Sequence, residues 1–513
     1  MWRTINIISL ITFALVTNVV VAKTQSKQLH ELTIHQANKL LNKGELTSVD
    51  LVNHYLKQIE KYDQNGPKIN SVPQINKQAL IIAKQLDDER RSGNIRGPLH
   101  GIPVVLKDNI DTADGMPNTA GSLALKDNFP TQDAHIVKKL RDAGAIILGK
   151  ANLSEWANFR GLKSSSGWSG LWGQTKNPYN TTKSTCGSSA GSGAAVSSNF
   201  SMLAVGTETD GSIVCPSALT GIVGIKPSLG TVSRHGIIPI AHSQDTAGPM
   251  ARTVTDAVIL LNALQSYDKK DPAPVKYDDD LLNHLKTNGL KGKRIGVVRN
   301  LMGYDKALDT KFEENLTILK QQGAIIVDNI AIPNLKKAGE HEFTILLTEF
   351  KDEINKYLLN TKTNLTLEKL ITFNKKHKTE EMPHFGQELF EYAQDMPPIT
   401  DEKYLTALKE AKRMMGPDGI DYVLNKHHLD LLIAPTNQPA WDIDWENGDN
   451  YAGSASSPAA ISGYPHITVP MGQVNGMPVG ISFFGAFLSE GTLVESAYAF
   501  EQATRHRKAP SFK

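Results

Sequence analysis

The sequence predicts an α/β fold in which strands alternate with covering helices, while length alone leaves the domain count open. Strand-like runs bounded by glycine and proline, Gly101-Ile102-Pro103-Val104-Val105-Leu106 and Ala145-Ile146-Ile147-Leu148, are separated by a helical period over residues 134–143 that stops at Gly144. The same strand-helix-strand order returns over 294–298, 306–322 and 324–327. With 513 residues, 40% of them hydrophobic and 21% charged, the chain has the composition of a globular protein and apolar surface enough to bury a large sheet.

The elements follow in order. Residues 1–22 read as a targeting segment: Arg3 supplies a positive start, an apolar stretch covers 7–16, and Val20-Val21-Ala22 offers small residues for cleavage before Lys23. Asn6, Thr17 and Asn18 interrupt that stretch and leave it short for a membrane span, so the expectation is a cleaved signal peptide and a periplasmic or secreted protein. Residues 23–95 form a helical wrapper, with Leu29, Leu32, Ala37, Leu40 and Leu41, then Leu51, Tyr55, Leu56 and Ile59, at helical spacings. The core is assigned to 96–270. Its glycine- and serine-rich belt, 185–230, is no linker, because Ala194-Ala195-Val196, Met202-Leu203-Ala204-Val205 and Gly221-Ile222-Val223-Gly224-Ile225 need burial. Residues 271–425 are a variable, partly helical insertion whose lysine- and glutamate-rich part, 339–421, is expected to cover one side of the core. Residues 426–513 return to the sheet with strand-like runs at 429–433, 466–470 and 479–484, and end in a helix over 490–504.

Charge narrows the partners. The formal net charge is only +2, so no sustained field exists to gather nucleic acid or to hold an acidic membrane after signal cleavage. A small-molecule or peptide ligand is the expectation. No glycine-rich phosphate loop ends in Lys-Ser/Thr, and His341-Glu342 lacks the second histidine of a zinc helix, so neither a cofactor nor a metal is expected.

The belt contains Cys186-Gly187-Ser188-Ser189-Ala190-Gly191-Ser192-Gly193 and then Thr207-Glu208-Thr209-Asp210-Gly211-Ser212, with Lys107 upstream in Val105-Leu106-Lys107-Asp108-Asn109. These residues resemble the amidase-signature family: a lysine ending an apolar strand, a Gly-Ser-Ser-x-Gly-Ser loop, and a Gly-Thr-[Asp/Glu]-x-x-Gly-Ser turn. The likeness continues through Gly224-Ile225-Lys226-Pro227, Ser243-Gln244-Asp245-Thr246-Ala247-Gly248-Pro249-Met250 and Gly476-Met477-Pro478-Val479-Gly480, covering about residues 30–510. It implies a single large domain with a central mixed β-sheet covered by helices, and a serine amidohydrolase working through an acyl-enzyme, with Ser212 as nucleophile, Ser188 as proton bridge and Lys107 as general base. It also implies a cis peptide at Gly187-Ser188 and an oxyanion hole from the backbone of Thr209, Asp210 and Gly211.

Those residue types suit the chemistry. An amide carbonyl is a poor electrophile, so an attacking hydroxyl needs a base for its proton and fixed donors for the oxygen that becomes negative. Lysine is a base only when neutral, and burial disfavours its charge. Bringing its pKa from about 10.4 to near 7 costs roughly 4–5 kcal/mol, which the fold must supply.

Other readings carry less. Gly187-Ser188-Ser189-Ala190-Gly191 matches a nucleophile elbow with Ser189 at its centre, but 177–183 is not the strand such an elbow needs. His235 and His242 flank the signature and receive no role. Cys186 and Cys215 could be packing residues, reactive thiols or a disulfide, and packing is the expectation.

Two positions depart from the family. Asp210 stands where glycine is common, and Val214 stands where an arginine usually pairs with the acidic residue at 208, so Glu208 needs another partner. With Leu153-Ser154-Glu155-Trp156-Ala157-Asn158-Phe159, the departures resemble the peptide amidase branch, which removes C-terminal amides of peptides. The alternatives are a general aliphatic or aryl amidase, a glutamine amidase component of an amidotransferase, and an inactive binding protein.

Overall fold

The structure, a computed structural model, describes residues 29–512. The targeting segment expected over 1–22 lies outside them. Among the described residues thirteen strands are found: β1 Gln74–Ile75, β2 Pro103–Lys107, β3 Ile146–Ala151, β4 Trp168–Ser169, β5 Gly173–Gln174, β6 Leu203–Glu208, β7 Val223–Lys226, β8 Thr246–Ala251, β9 Arg294–Val298, β10 Ile325–Ile330, β11 Leu431–Pro435, β12 His466–Val474 and β13 Met477–Phe484. Eleven of them form one sheet in the order β1-β3-β2-β6-β8-β7-β12-β13-β11-β9-β10, while β4 and β5 make a separate ribbon.

The sheet is mixed, as expected. β2 runs parallel to both β3 and β6, and β9 parallel to both β10 and β11. The centre is antiparallel, through β6-β8, β8-β7, β7-β12 and β12-β13. Pro-Val-Val-Leu-Lys of β2 and Leu-Ala-Val-Gly-Thr-Glu of β6 are buried at every position. That is why they read as continuous apolar runs rather than as an alternation.

Helices cover both faces. The first described ones are fixed by capping boxes at Thr33 with Gln36 and at Thr47 with Asp50. The helix Val254–Leu264 is apolar nearly all round and lies within the main core. Two strands of the 271–425 segment, β9 and β10, extend the main sheet. The helices Leu335–Leu359, Leu367–Lys376 and Glu388–Asp395 build a separate core together with apolar residues of 120–159 and 238–241. There Phe159 packs on Phe350 and Trp156 on Phe390, with ring centroids 5.1 and 5.5 Å apart.

One strand, β8, is legible in the sequence only as a motif. Its sequence Thr246-Ala247-Gly248-Pro249-Met250-Ala251 carries glycine and proline in its middle, which argues against a central strand. It is nonetheless paired on both sides, to β6 and β7.

Candidate active site

β2 and β6 end side by side because they are parallel, and the loops that leave their carboxyl ends converge there. Lys107, the last residue of β2, is wholly buried. Its Nζ donates to Ser188 Oγ at 2.6 Å, to Thr207 Oγ1 at 2.9 Å and to the Thr207 carbonyl at 3.1 Å. Asn109 Nδ2 buttresses the same Thr207 hydroxyl at 3.0 Å. Burial pushes the lysine down to about 7, against the opposing pull of the Asp245 and Glu208 carboxyls. None of its three bonded acceptors is a carboxylate, so no ion pair in direct contact favours the charged form.

Ser188 reaches this nitrogen from a loop pressed against its surroundings. The Gly187-Ser188 peptide is cis. A Cβ on Gly187 would lie 2.1 Å from Ser154 Oγ, so only glycine fits there. The Ser188 carbonyl accepts from Ser154 N at 3.0 Å, and Ser189 N–H donates to the Ser212 carbonyl at 3.1 Å. Ser189 Oγ lies within hydrogen-bond distance of both Thr207 N and Thr207 O, a structural role that leaves no free hydroxyl for an elbow nucleophile.

Ser212 lies where β6 gives way to the helix Val214–Leu219. Gly211 turns the chain with φ of +78°. Among the described residues, the amides of Thr209, Asp210, Gly211 and Ser212 donate no hydrogen bond, while the next two, Ile213 and Val214, donate to Glu208 Oε2 at 2.7 and 3.0 Å. Glu208 therefore has its replacement partners: the first amides of the helix, and the buried Lys226 as the nearby positive charge. Thr209 Oγ1 donates to Asp245 Oδ1 at 2.6 Å, which fixes the start of the turn.

Cys186 and Cys215 are joined as a disulfide with Cα atoms 5.9 Å apart, which corrects the expectation of simple packing residues. The bond was hidden from sequence because 29 residues separate the two, and their proximity arises only once β6 and the two short helices have docked.

A cavity of about 310 Å³ opens over Ser212. Its walls include Thr209, Asp210 and Gly211 on one side and Phe159, Trp441 and Tyr451 on others. Leu346, from the helix Leu335–Leu359, completes it, so the added helical layer does face the site. Asp210 Oδ2 accepts from Ser457 Oγ at 2.6 Å. Its Oδ1 has no hydrogen-bond donor among the described residues; the Asp210 charge acts on Glu342, whose carboxyl is raised well above its usual range by burial and then by that charge.

His235 and His242 line a different, larger cavity of about 580 Å³, on the far side of Thr207 and Thr209. His242 Nδ1 lies 3.4 Å from Glu349 and 3.5 Å from Glu353. The structure thus brings Lys107 and Ser188 into contact and sets Ser212, Thr209, Asp210 and Gly211 around one cavity. Sequence reasoning passed over Thr207 and Asn109, the residues that cradle the lysine. Both stand inside the quoted motifs, and Asn109, two residues beyond a buried lysine, was the available signal.

A family model described as Amidase matches residues 50–494. The chain is 40% identical over 499 residues to a probable amidase of Arabidopsis thaliana, covering 94% of this chain and 92% of that one. It is 33% identical over 500 residues to a glutamyl-tRNA(Gln) amidotransferase component of Thermoanaerobacter pseudethanolicus, with 94% and 98% covered. Among solved structures it is similar to the native peptide amidase of Stenotrophomonas maltophilia, with a TM-score of 0.91, 47% identity and coverage of 94% and 99%.

Proposed function

The chain belongs to the amidase family and is a hydrolase of amide bonds; from that premise we propose that it works by a Ser212-Ser188-Lys107 relay on the C-terminal amides of peptides. The observation that carries the reading is the hydrogen bond from a fully buried lysine to Ser188. In its neutral form Lys107 accepts a proton from the Ser188 hydroxyl as that hydroxyl takes one from Ser212. Ser212 Oγ then bonds to the scissile carbonyl carbon. The carbonyl oxygen becomes negative against the undonated amides of Thr209, Asp210 and Gly211, each such donor contributing about 2.7–4 kcal/mol to the transition state. The proton on Lys107 returns through Ser188 to the leaving nitrogen, ammonia departs, and water repeats the sequence on the acyl-enzyme.

The substrate class rests on the 47% identity to a peptide amidase and on a cavity whose walls join the aromatic Phe159, Trp441 and Tyr451 to many small and polar groups able to meet a peptide acyl group. Asp210 has a structural part in this reading. One of its oxygens accepts from Ser457, so its first duty is to join the nucleophile turn to the C-terminal segment, beside the Glu342 carboxyl of the added helix. Export is part of the same proposal, and a disulfide beside the site suits an oxidising compartment.

The test compares a peptide C-terminal amide, its N-methylamide and propionamide, measuring released ammonia or methylamine. The peptide amide is expected to have the highest kcat/KM and the N-methylamide to be cut slowly. Preference for propionamide, or fast N-methylamide cleavage, would leave a general amidase.

A further inference from the structure

The two cysteines occupy places that stability alone does not explain. Cys186 directly precedes Gly187-Ser188, and Cys215 falls in the first turn of the helix that follows Ser212. Both line the cavity that holds Ser212, and both are nearly buried. The intervening chain is already secured: the helix Ala190–Ser197 is buried at every residue, and β6 is hydrogen-bonded on both sides. Cys186 also holds a left-handed backbone with φ of +58°, a conformation unfavourable for a residue with a Cβ. Glycine or asparagine would suit that backbone better, so it is the sulfur that the position requires. A further cross-link between the same segments is the Ser189 N–H to Ser212 carbonyl bond. One sulfur bridge and one hydrogen bond therefore set the spacing between the loop of one serine and the turn of the other.

We propose that the Cys186–Cys215 bridge is a positioning device for the reaction, and that reduction by a small dithiol entering through the substrate cavity turns the enzyme down. The proposal rests on the roles given above to Ser188 and Ser212. A thiolate of the dithiol bonds to one cysteine sulfur as the S–S bond breaks. Its second thiol then closes on the first, leaving a cyclic disulfide and two protein thiols; the dithiol loses two electrons and two protons, and the protein gains them. With the tether gone, the loop of Ser188 and the turn of Ser212 keep the Ser189 amide bond between them but lose their covalent tie. Proton passage between them depends on their separation, and misplacement by about 1 Å can cost on the order of a hundredfold. Of the cavity walls, Trp441 packs in one apolar cluster with the two cysteines and meets Tyr451 edge-on, whereas Phe159 packs on Phe350 in a separate cluster, so part of the acyl wall keeps its support and substrate binding changes less than turnover.

The experiment uses the whole protein and a peptide amide. Alkylation and mass measurement are expected to find no free thiol in the isolated enzyme and two after dithiothreitol. On reduction kcat is expected to fall about tenfold or more while KM stays within about threefold, and reoxidation restores it. The C186A/C215A double variant is expected to match the reduced enzyme and to ignore the dithiol. A fully reduced enzyme with unchanged kcat and native circular dichroism would overturn the proposal, as would two free thiols in fully active isolated protein. So would a loss that tracks loss of circular dichroism and does not reverse. An active Ser212→Ala variant would instead overturn the serine relay itself, so the two failures are distinguishable.

Discussion

Lys107 and Lys226 are the last residues of two strands of one sheet, and both are wholly buried. Burial pushes Lys107 down to about 7 and Lys226 down to about 8. Their neighbours differ. Lys226 donates to the Pro227 carbonyl at 3.2 Å and sits in the field of Glu208 and Glu490, which favours its charged form. Lys107 touches two hydroxyls and a carbonyl, and one of those hydroxyls belongs to the loop beside the Ser212 cavity. Desolvation makes a lysine easier to deprotonate wherever it is buried. Both lysines feel nearby carboxylates and both donate to a carbonyl; among the described residues, what Lys107 has and Lys226 lacks is a hydroxyl in first contact that leads toward the Ser212 cavity.

Substitutions can break that contrast. Ser212→Ala is expected to lower kcat by at least about 10⁴-fold, because it removes the attacking oxygen and a single atom of bulk. Circular dichroism and melting of the same preparation should be unchanged; a folded variant with near-normal ammonia release would end the serine mechanism.

Lys107→Ala should approach that loss, whereas Ser188→Ala should cost about 10²–10³-fold if a water can occupy the bridging place. Equal and small losses in both would place the base elsewhere.

The pH profile sharpens the comparison. Lys107 accepts a proton only when neutral, so kcat/KM is expected to rise as pH increases through about 7 and to level off above it. Stability should move the same way. In the unfolded chain the lysine titrates near 10.4, so between about pH 7 and 10 the unfolded state binds the extra proton, and the cost of burying this lysine shrinks as pH rises. A profile that falls through neutrality would contradict a lysine base.

Lys226→Met is the smaller change. It leaves Glu208 and Glu490 buried without their cation, so stability should drop by about 3 kcal/mol while kcat remains within about tenfold. Thermal melting and initial rates separate the two effects. A loss of activity as deep as that of Lys107→Ala would erase the distinction. Smallest of all is the effect expected of the amino terminus: sequencing of native protein should find it beginning near Lys23, and recovery of Met1 would refute cleavage.

By itself the sequence determined the family, its amide-hydrolysing class of reaction and the class of fold. Residues that must be adjacent for local reasons carry their meaning in order: a lysine closing an apolar run, a glycine before each serine, and apolar runs whose lengths separate strand from helix. Tertiary structure decided what depends on distant segments meeting. It paired Cys186 with Cys215, gave Glu208 the amides of Ile213 and Val214 beside Lys226, and set Ser457 and Glu342 against Asp210. It also placed β8, with its central glycine and proline, between two strands that override its local preference. The reason is physical: backbone preference and side-chain chemistry are local properties that a short window of sequence contains. Proximity, and with it bond formation, charge pairing and desolvation, exists only after the chain has packed.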